Sequence, residues 1–300
     1  MSRRQRTRIL TDTVAQLTKE DIHRYGITVV PAATIFCDGR SFVDGVDITP
    51  AEAYELLRQN PDQFSTAAIS PDYFTRAFEG LGDGIEGILC ITISSKLSGI
   101  YGNAVLAGKQ VRAKAGAPRI EVFDSMNAAG GEGLIALAAA RAASRGLGLD
   151  EVIRVAEKAR ENAECLFFIN SLREAYRSGR IPRVASQFAD ALRIRPLCDI
   201  REGKVHPIGL TRSRSRGVER IVGMARQRAG DAPVYVMVMH TAALAEAEKL
   251  KVRAQEKLNC REVVVSEFSP VMGYSVGPGF LGLATCPEVV EWSMKEESRQ

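Results

Sequence analysis

The chain has 300 residues, 45% hydrophobic and 25% charged, with a formal net charge of +4. Such a length favours two domains over one and buries a large core without disulfide or metal staples. The positive excess is too small to argue for nucleic acid unless it is clustered, and no apolar run is long enough to span a membrane.

The opening Met-Ser-Arg-Arg-Gln-Arg is charged and leads into Ile9-Leu10-Thr11-Asp12 with no apolar signal region between them. Six cysteines (Cys37, Cys90, Cys165, Cys198, Cys260 and Cys286) are scattered without a C-x-x-C pair. Together these features predict reduced, mostly buried thiols in a cytoplasmic protein.

Short apolar runs at residues 8–10, 27–30, 33–36, 87–93 and 120–123 read as strands. Helix signals lie between them. Thr49-Pro50-Ala51-Glu52 is a capping box with proline at the first helical position, and Ser70-Pro71 is a second cap followed by proline. Residues 104–114 are rich in helix formers, and 133–145 and 150–163 form a helix pair joined at Gly146-Leu147-Gly148. This alternation predicts a mainly parallel sheet flanked by helices. The run 88–93 is nearly continuously apolar, which places it mid-sheet. Residues 64–71 are not apolar enough for a central strand and read as a hydroxyl-rich loop.

The second half has a different rhythm. A strand at 166–169 is followed by helices around 172–177 and 182–192. Two strands at 197–200 and 204–208 then flank Glu202-Gly203 as a β-hairpin. Helices at 216–228 and 242–258 alternate with strands at 234–239 and 262–268. The expected fold is α/β in two lobes: residues 1–163 as an N-terminal lobe with a mainly parallel sheet, and residues 164–300 as an α+β lobe with a mixed sheet.

The turn Ser94-Ser95-Lys96-Leu97-Ser98-Gly99 joins the buried strand to a helix. Unpaired N–H groups and the positive dipole end at a helix N-terminus suit phosphate or carboxylate. Ligands of open α/β sheets lie at the carboxyl ends of the strands. Ser94 and Ser98 acting only as helix caps is an equally good reading of the pattern. The stretch around Thr66 could reach the same ligand or simply cap the next helix. Gly277-Pro278-Gly279-Phe280-Leu281-Gly282 matches G-x-G-x-x-G, but only eighteen residues follow Gly282, too few for the rest of a dinucleotide site. Its glycines permit close backbone approach to a ligand or a packed helix. Arg212-Ser213-Arg214-Ser215-Arg216 reads as an anion contact or as a solvated loop. The three histidines, His23, His206 and His240, sit in no nucleophile pattern, and no G-x-S-x-G, H-E-x-x-H, P-loop or cysteine quartet occurs. No catalytic residue and no metal ligand is predicted.

Several of these segments, in order and spacing, resemble the DegV family. They are Thr11-Asp12-Thr13, Gly26-Ile27-Thr28-Val29-Val30-Pro31, Asp44-Gly45-Val46-Asp47-Ile48, the stretch 65–71, and Ile93-Ser94-Ser95-Lys96-Leu97-Ser98-Gly99. The series continues through Phe123-Asp124-Ser125, Ser178-Gly179-Arg180-Ile181, Arg193-Ile194-Arg195-Pro196 and Val276-Gly277-Pro278-Gly279, so it covers nearly the whole chain.

The resemblance implies a two-lobed, non-catalytic protein that holds one long-chain fatty acid, such as palmitate or stearate, between its lobes. It also implies a partner, a fatty acid kinase to which the acid is presented; no cofactor is implied. Carried over by motif, Thr66 and Ser95 would hold the carboxylate, with Ser94, Ser98 and Gly99 completing the helix N-terminus. Arg212 would lie near the carboxylate end, on the kinase-facing side, and Ser275 and Gly277 would lie beside the ligand. Two departures stand out. The family loop commonly reads T-S-Q-P-S, where this chain has Thr66-Ala67-Ala68-Ile69-Ser70. Histidine commonly stands two residues before G-P-G, where this chain has Ser275. The second departure bears on kinase coupling more than on lipid binding. A serine-dependent acyl hydrolase or transferase, and a regulatory module for another anionic metabolite such as a phosphate ester, are the rival functions.

Overall fold

The computed structural model describes residues 6–81, 84–170, 176, 178–181 and 194–289. The helices expected around 172–177 and at 182–192 fall largely outside the described residues.

Four strands form the first sheet: β1 (Thr7–Asp12), β2 (Thr28–Val30), β6 (Gly87–Thr92) and β7 (Arg119–Asp124). They pair in the order β2-β1-β6-β7, all parallel. Every residue of β6 is buried, so both faces of the sheet centre are covered, as its unbroken apolar run predicts. The covering helices are α3 (Pro71–Glu79), α4 (Ile100–Arg112), α5 (Ala129–Ser144) and α6 (Leu149–Asn162), with α3 packed on α4 and α5 on α6. α1 (Lys19–Tyr25) starts at the Thr18 cap, whose side chain accepts from Asp21 N–H, and ends on Gly26 in the left-handed region.

The strand expected at 33–36 does not join this sheet. β3 (Ala33–Cys37) pairs antiparallel with β4 (Arg40–Val43) and β5 (Ser65–Ala68) in a separate three-stranded sheet, packed on α2 (Pro50–Gln59). α2 carries the complete Thr49–Glu52 capping box. β5 is the stretch expected to be a loop. An edge strand needs one hydrogen-bonded neighbour and one packed face, so its low apolar content does not stop it pairing with β3.

The second sheet has six strands: β8 (Glu164–Phe168), β9 (Arg195–Arg201), β10 (Lys204–Thr211), β11 (Val234–His240), β12 (Cys260–Glu267) and β13 (Leu281–Pro287). Their order is β10-β9-β8-β13-β11-β12, mixed in direction, with only β11 and β12 parallel. β13 escapes the sequence reading because its glycines draw attention to the G-x-G-x-x-G match. It is nevertheless buried and lies between β8 and β11. α7 (Arg214–Ala229) and α8 (Leu244–Lys257) pack on this sheet, and the short α9 (Pro270–Val276) returns to pack on α2.

α5 joins the two sheets. It packs against β1 and β6 of the first and against β8, β11 and β13 of the second. Its sequence is mainly alanine and glycine, and it is buried on nearly every side. Small side chains let both sheets approach its backbone. A Cβ on Gly133 would stand 2.2 Å from the Ala15 carbonyl oxygen, and one on Gly130 would stand 2.8 Å from Met239 Sδ. Helical Gly→Ala exchange ordinarily stabilises by up to about 1 kcal/mol. At Gly133 the sign reverses, because backbone cannot yield: Gly133→Ala is expected to destabilise by about 1–3 kcal/mol. Gly102→Ala, in exposed α4 with nothing within 4 Å, is expected to stabilise by a few tenths up to about 1 kcal/mol. Denaturant midpoints of the two variants measure both, and a stabilised Gly133→Ala would contradict the packing account.

Candidate functional site

β1, β6 and β7 end side by side, and the chain leaves each in a turn held by a carboxylate or a serine. At the end of β1, Asp12 Oδ1 accepts from Val14 N–H at 2.9 Å and Oδ2 accepts from Ile93 N–H at 3.0 Å. At the end of β6, Ser94 N–H donates to the Asn127 carbonyl at 2.8 Å, and Ser94 Oγ donates to the Gly203 carbonyl at 2.8 Å. The Ser94 carbonyl accepts from Leu97 and Ser98 N–H, which closes the turn before α4. Gly203, with φ +76°, is the tip of the β9–β10 hairpin, and a Cβ there would sit 2.4 Å from Ser94 Oγ. The turn is thereby pinned to the second lobe.

Above these strand ends lies a cavity between the sheets. Its floor is Val14, Ile93, Ala128 and Ala129, and its far wall is Cys165, Phe167, Ile200, Val205 and Phe280. Its roof is Phe268 with Val271, Met272, Ser275 and Val276 of α9, and β5 closes one side with Thr66, Ala67 and Ala68. The void measures about 860 Å³, the part open to solvent included. Its walls are mostly apolar, with a few polar side chains: Thr66, Ser98, Ser178, Arg180 and Ser275. Burial pushes the Cys165 thiol up to about 12, so it stays protonated and behaves as apolar wall.

The roof is anchored to the first lobe at several points. Asp44 Oδ1 accepts from Val271 N–H at 2.9 Å, while Thr13 Oγ1 donates to Asp44 Oδ2 and accepts from Ala32 N–H. Gln16 Oε1 accepts from Ser269 N–H at 3.1 Å, and the Gln16 carbonyl accepts from Ser266 Oγ at 2.6 Å. The Tyr54 hydroxyl donates to the Phe268 carbonyl, and Phe64 stacks on Tyr274 at 5.0 Å. Burial raises the Asp44 carboxyl above its ordinary range, and the Thr13 and Val271 bonds oppose that rise.

Three of the eight expected ligand residues, Thr66, Ser98 and Ser275, line the cavity. Ser98 Oγ also accepts from Ile100 N–H at 3.4 Å, and Ser275 Oγ donates to the Val271 carbonyl at 3.2 Å. Ser94 is buried and serves the turn. Ser95 is exposed outside the wall, with its N–H shared between the two Asp124 oxygens at 3.3 Å. The pinning of Ser94 inward leaves its neighbour facing out. Gly99 caps α4 against Ala68, and Gly277 takes a φ of +76° with its carbonyl accepting from Thr241 Oγ1; neither lines the cavity. Arg212 is exposed, and its carbonyl accepts from Arg195. The apolar run beginning at 166 contributes Phe167 to the wall, 134–140 is core, and 188–192 lies outside the described residues.

Sequence reasoning assigned no ligand role to Ser178, Arg180 and Ile181, and on α9 it singled out Ser275 but not Val271, Met272 or Val276. The Ser178-Gly179-Arg180-Ile181 motif was the available signal for the first group. α9, at seven residues, is too short for periodicity to reveal. Among the described residues no histidine lines this cavity: His240, the last residue of β11, is buried with Nδ1 accepting from Ala243 N–H, and His206 on β10 is half-buried. Among the described residues no cluster could hold a metal ion, and no helix is long and apolar enough to cross a membrane.

Comparison with known proteins agrees with this architecture. A family model described as "Uncharacterised protein, DegV family" matches residues 6–288. A DegV domain-containing protein of Streptomyces coelicolor is 32% identical over 278 residues, 92% of this chain and 96% of that one. A solved structure titled as fatty acid binding of a DegV family protein from Thermus thermophilus superposes with a TM-score of 0.84 at 25% identity, covering 94% of this chain and 99% of that one. A stearic acid-binding protein from Eubacterium ventriosum superposes with a TM-score of 0.85 at 23% identity, covering 94% and 98%. The α/β fold, with strand ends facing a cavity between its two larger sheets, and a match running nearly from one end of the sequence to the other place this chain in the DegV family.

Proposed function

We propose that this protein is a cytoplasmic, non-catalytic carrier of one long-chain fatty acid, with the acyl tail in the cavity and the carboxylate among the hydroxyls of its wall. The observation that carries this reading is the mostly apolar cavity of about 860 Å³ with its few polar side chains. The fatty acids named for the Thermus thermophilus and Eubacterium ventriosum structures support it. A palmitate-length tail contributes on the order of 10 kcal/mol on burial, before ordering costs. The head group then needs only enough hydrogen bonds to offset its desolvation. Thr66 on β5 and Ser98 at the start of α4 are the hydroxyls best placed for this, with the α4 N-terminus behind Ser98. Ser275 occupies the position of the family histidine and spends its proton on the Val271 carbonyl. Among the described residues the wall has no base beside its serines, which favours holding the acid over hydrolysing an ester.

Presentation of the acid to a kinase is the further step this reading allows. The observation favouring it is a groove outside the cavity that shares Leu97, Ser178, Arg180 and Val205 with it and carries Lys96, Lys204 and His206 and, among the described residues, no acidic side chain. A phosphoryl-bearing partner would meet positive charge there.

Mass spectrometry of an organic extract of the purified protein is expected to show a stoichiometric long-chain fatty acid. Protein that is lipid-free and takes up none from added palmitate would refute the carrier role. Thr66→Val and Ser98→Ala are each expected to weaken palmitate binding about 10- to 150-fold, the value of one hydrogen bond to a charged group. Ser95→Ala is expected to change it less than twofold. Titration with a fluorescent fatty acid ranks the three, and a dominant loss at Ser95 would return the carboxylate to that residue.

A further inference from the structure

The carrier reading leaves one buried cluster unused. Glu132 lies in the first turn of α5 and is 0% exposed, as are Asp12 and Thr11 beside it. Glu132 Oε1 accepts from the Thr11 hydroxyl at 3.3 Å, and Oε2 receives no hydrogen bond among the described residues. The buried Glu132 and Asp12 carboxyls are neighbours, close enough for each to bear on the other's protonation. Two ionised carboxylates have only acceptors to offer, so one of the pair carries the proton.

The surroundings decide which. Asp12 accepts a backbone N–H on each oxygen, from Val14 and from Ile93, and both bonds favour its anion. Glu132 accepts only the Thr11 hydroxyl. The other titratable groups facing the pair are Asp44, Asp124 and the Cys90 thiol, with no cation among them. The N-terminal end of α5 favours an anion at Glu132. Burial, and after it the charge of Asp12, outweigh this and hold Glu132 well above its ordinary value of 4.5, whereas Asp12 is pushed only to about 6.

We propose that Glu132 is a neutral acid whose proton bridges to the Asp12 carboxylate, and that this one proton positions the floor of the ligand cavity. Asp12 holds Val14 and Ile93, and the helix that carries Glu132 begins with Ala128 and Ala129; all four line the cavity. The bridge therefore ties the ends of β1 and β6 to the start of α5 at the place where they meet the ligand. Glu132 touches no ligand itself and is a positioning residue. Its bearing on binding rests on the carrier reading above; the protonation and its structural effect do not.

The test uses the full chain and Glu132→Gln, whose amide can donate to Asp12 and accept from Thr11 in the same shape. Infrared difference spectra at pH 8, in water and deuterium oxide, are expected to show a carboxylic-acid carbonyl band in wild type that shifts on deuteration and is missing from the variant. No such difference would overturn the proposal. The amide resonances of Val14 and Ile93 are expected to move together in wild type at the alkaline pH where that band disappears, and to stay fixed in Glu132→Gln; equal movement in both proteins would overturn the positioning role. The sign for folding follows from linkage. In the unfolded chain Glu132 ionises near 4.5, while in the native state it keeps its proton, so wild type loses about tenfold in its folding constant per pH unit above that value, relative to Glu132→Gln. Parallel stability–pH curves would contradict the proposal. Palmitate affinity in wild type is expected to fall as the acid band is lost and to remain level in the variant, and identical profiles would overturn the link to binding. If neither protein binds palmitate at any pH, the carrier reading fails while the infrared and amide results still judge the bridge.

Discussion

Two sheets cannot both pack on one helix unless the helix offers little more than its backbone to each. α5 meets that constraint with alanine and glycine, and its close contacts at Gly130 and Gly133 are with side chain and main chain of different lobes. The rest follows from that choice. Because α5 stands between the sheets, its first turn lies where β1 and β6 end, and the space left above that turn is the cavity. The dipole end of α4 and the hydroxyls of Thr66 and Ser98 border the same space. A helix with bulkier residues would hold the lobes apart and leave the strand ends open to water.

Much of this was legible in the residues. The parallel sheet, the hairpin at Glu202-Gly203 and the helix pair at 133–163 announce themselves through apolar runs, turn chemistry and caps. What stayed hidden has a physical reason in each case. β5 is an edge strand whose pairing is supplied by β3, so its composition need not resemble a core strand. β13 is masked by glycines that read as a nucleotide loop. The switch of β3 from the parallel sheet to its own small sheet depends on contacts with α2 and α9, which no local pattern contains.

At the site, the motif points to a turn beside the cavity but does not say which of its serines faces inward. That choice is made by Ser94, whose hydroxyl is drawn to Gly203 more than a hundred residues away. Once Ser94 is fixed there, Ser95 is outside and Ser98, near the base of α4, is on the wall. The roof was equally invisible. Asp44, Gln16 and Tyr54 each hold a different backbone group of the segment 268–271, and none of these pairings has a sequence signature.

Those roof bonds have a consequence for how the cavity comes into being. Tyr54 reaches Phe268 across 214 residues, Asp44 reaches Val271 across 227, and Gln16 reaches Ser266 across 250. Closing loops of that length costs chain entropy that no local contact repays. The cavity is thus assembled from opposite ends of the polypeptide and is complete only when the topology is. An acyl chain lying between floor and roof would bridge the segments that sequence separates most. Its buried methylenes would then act as a cross-link without covalent bonds, adding the affinity of the ligand to the stability of the fold itself.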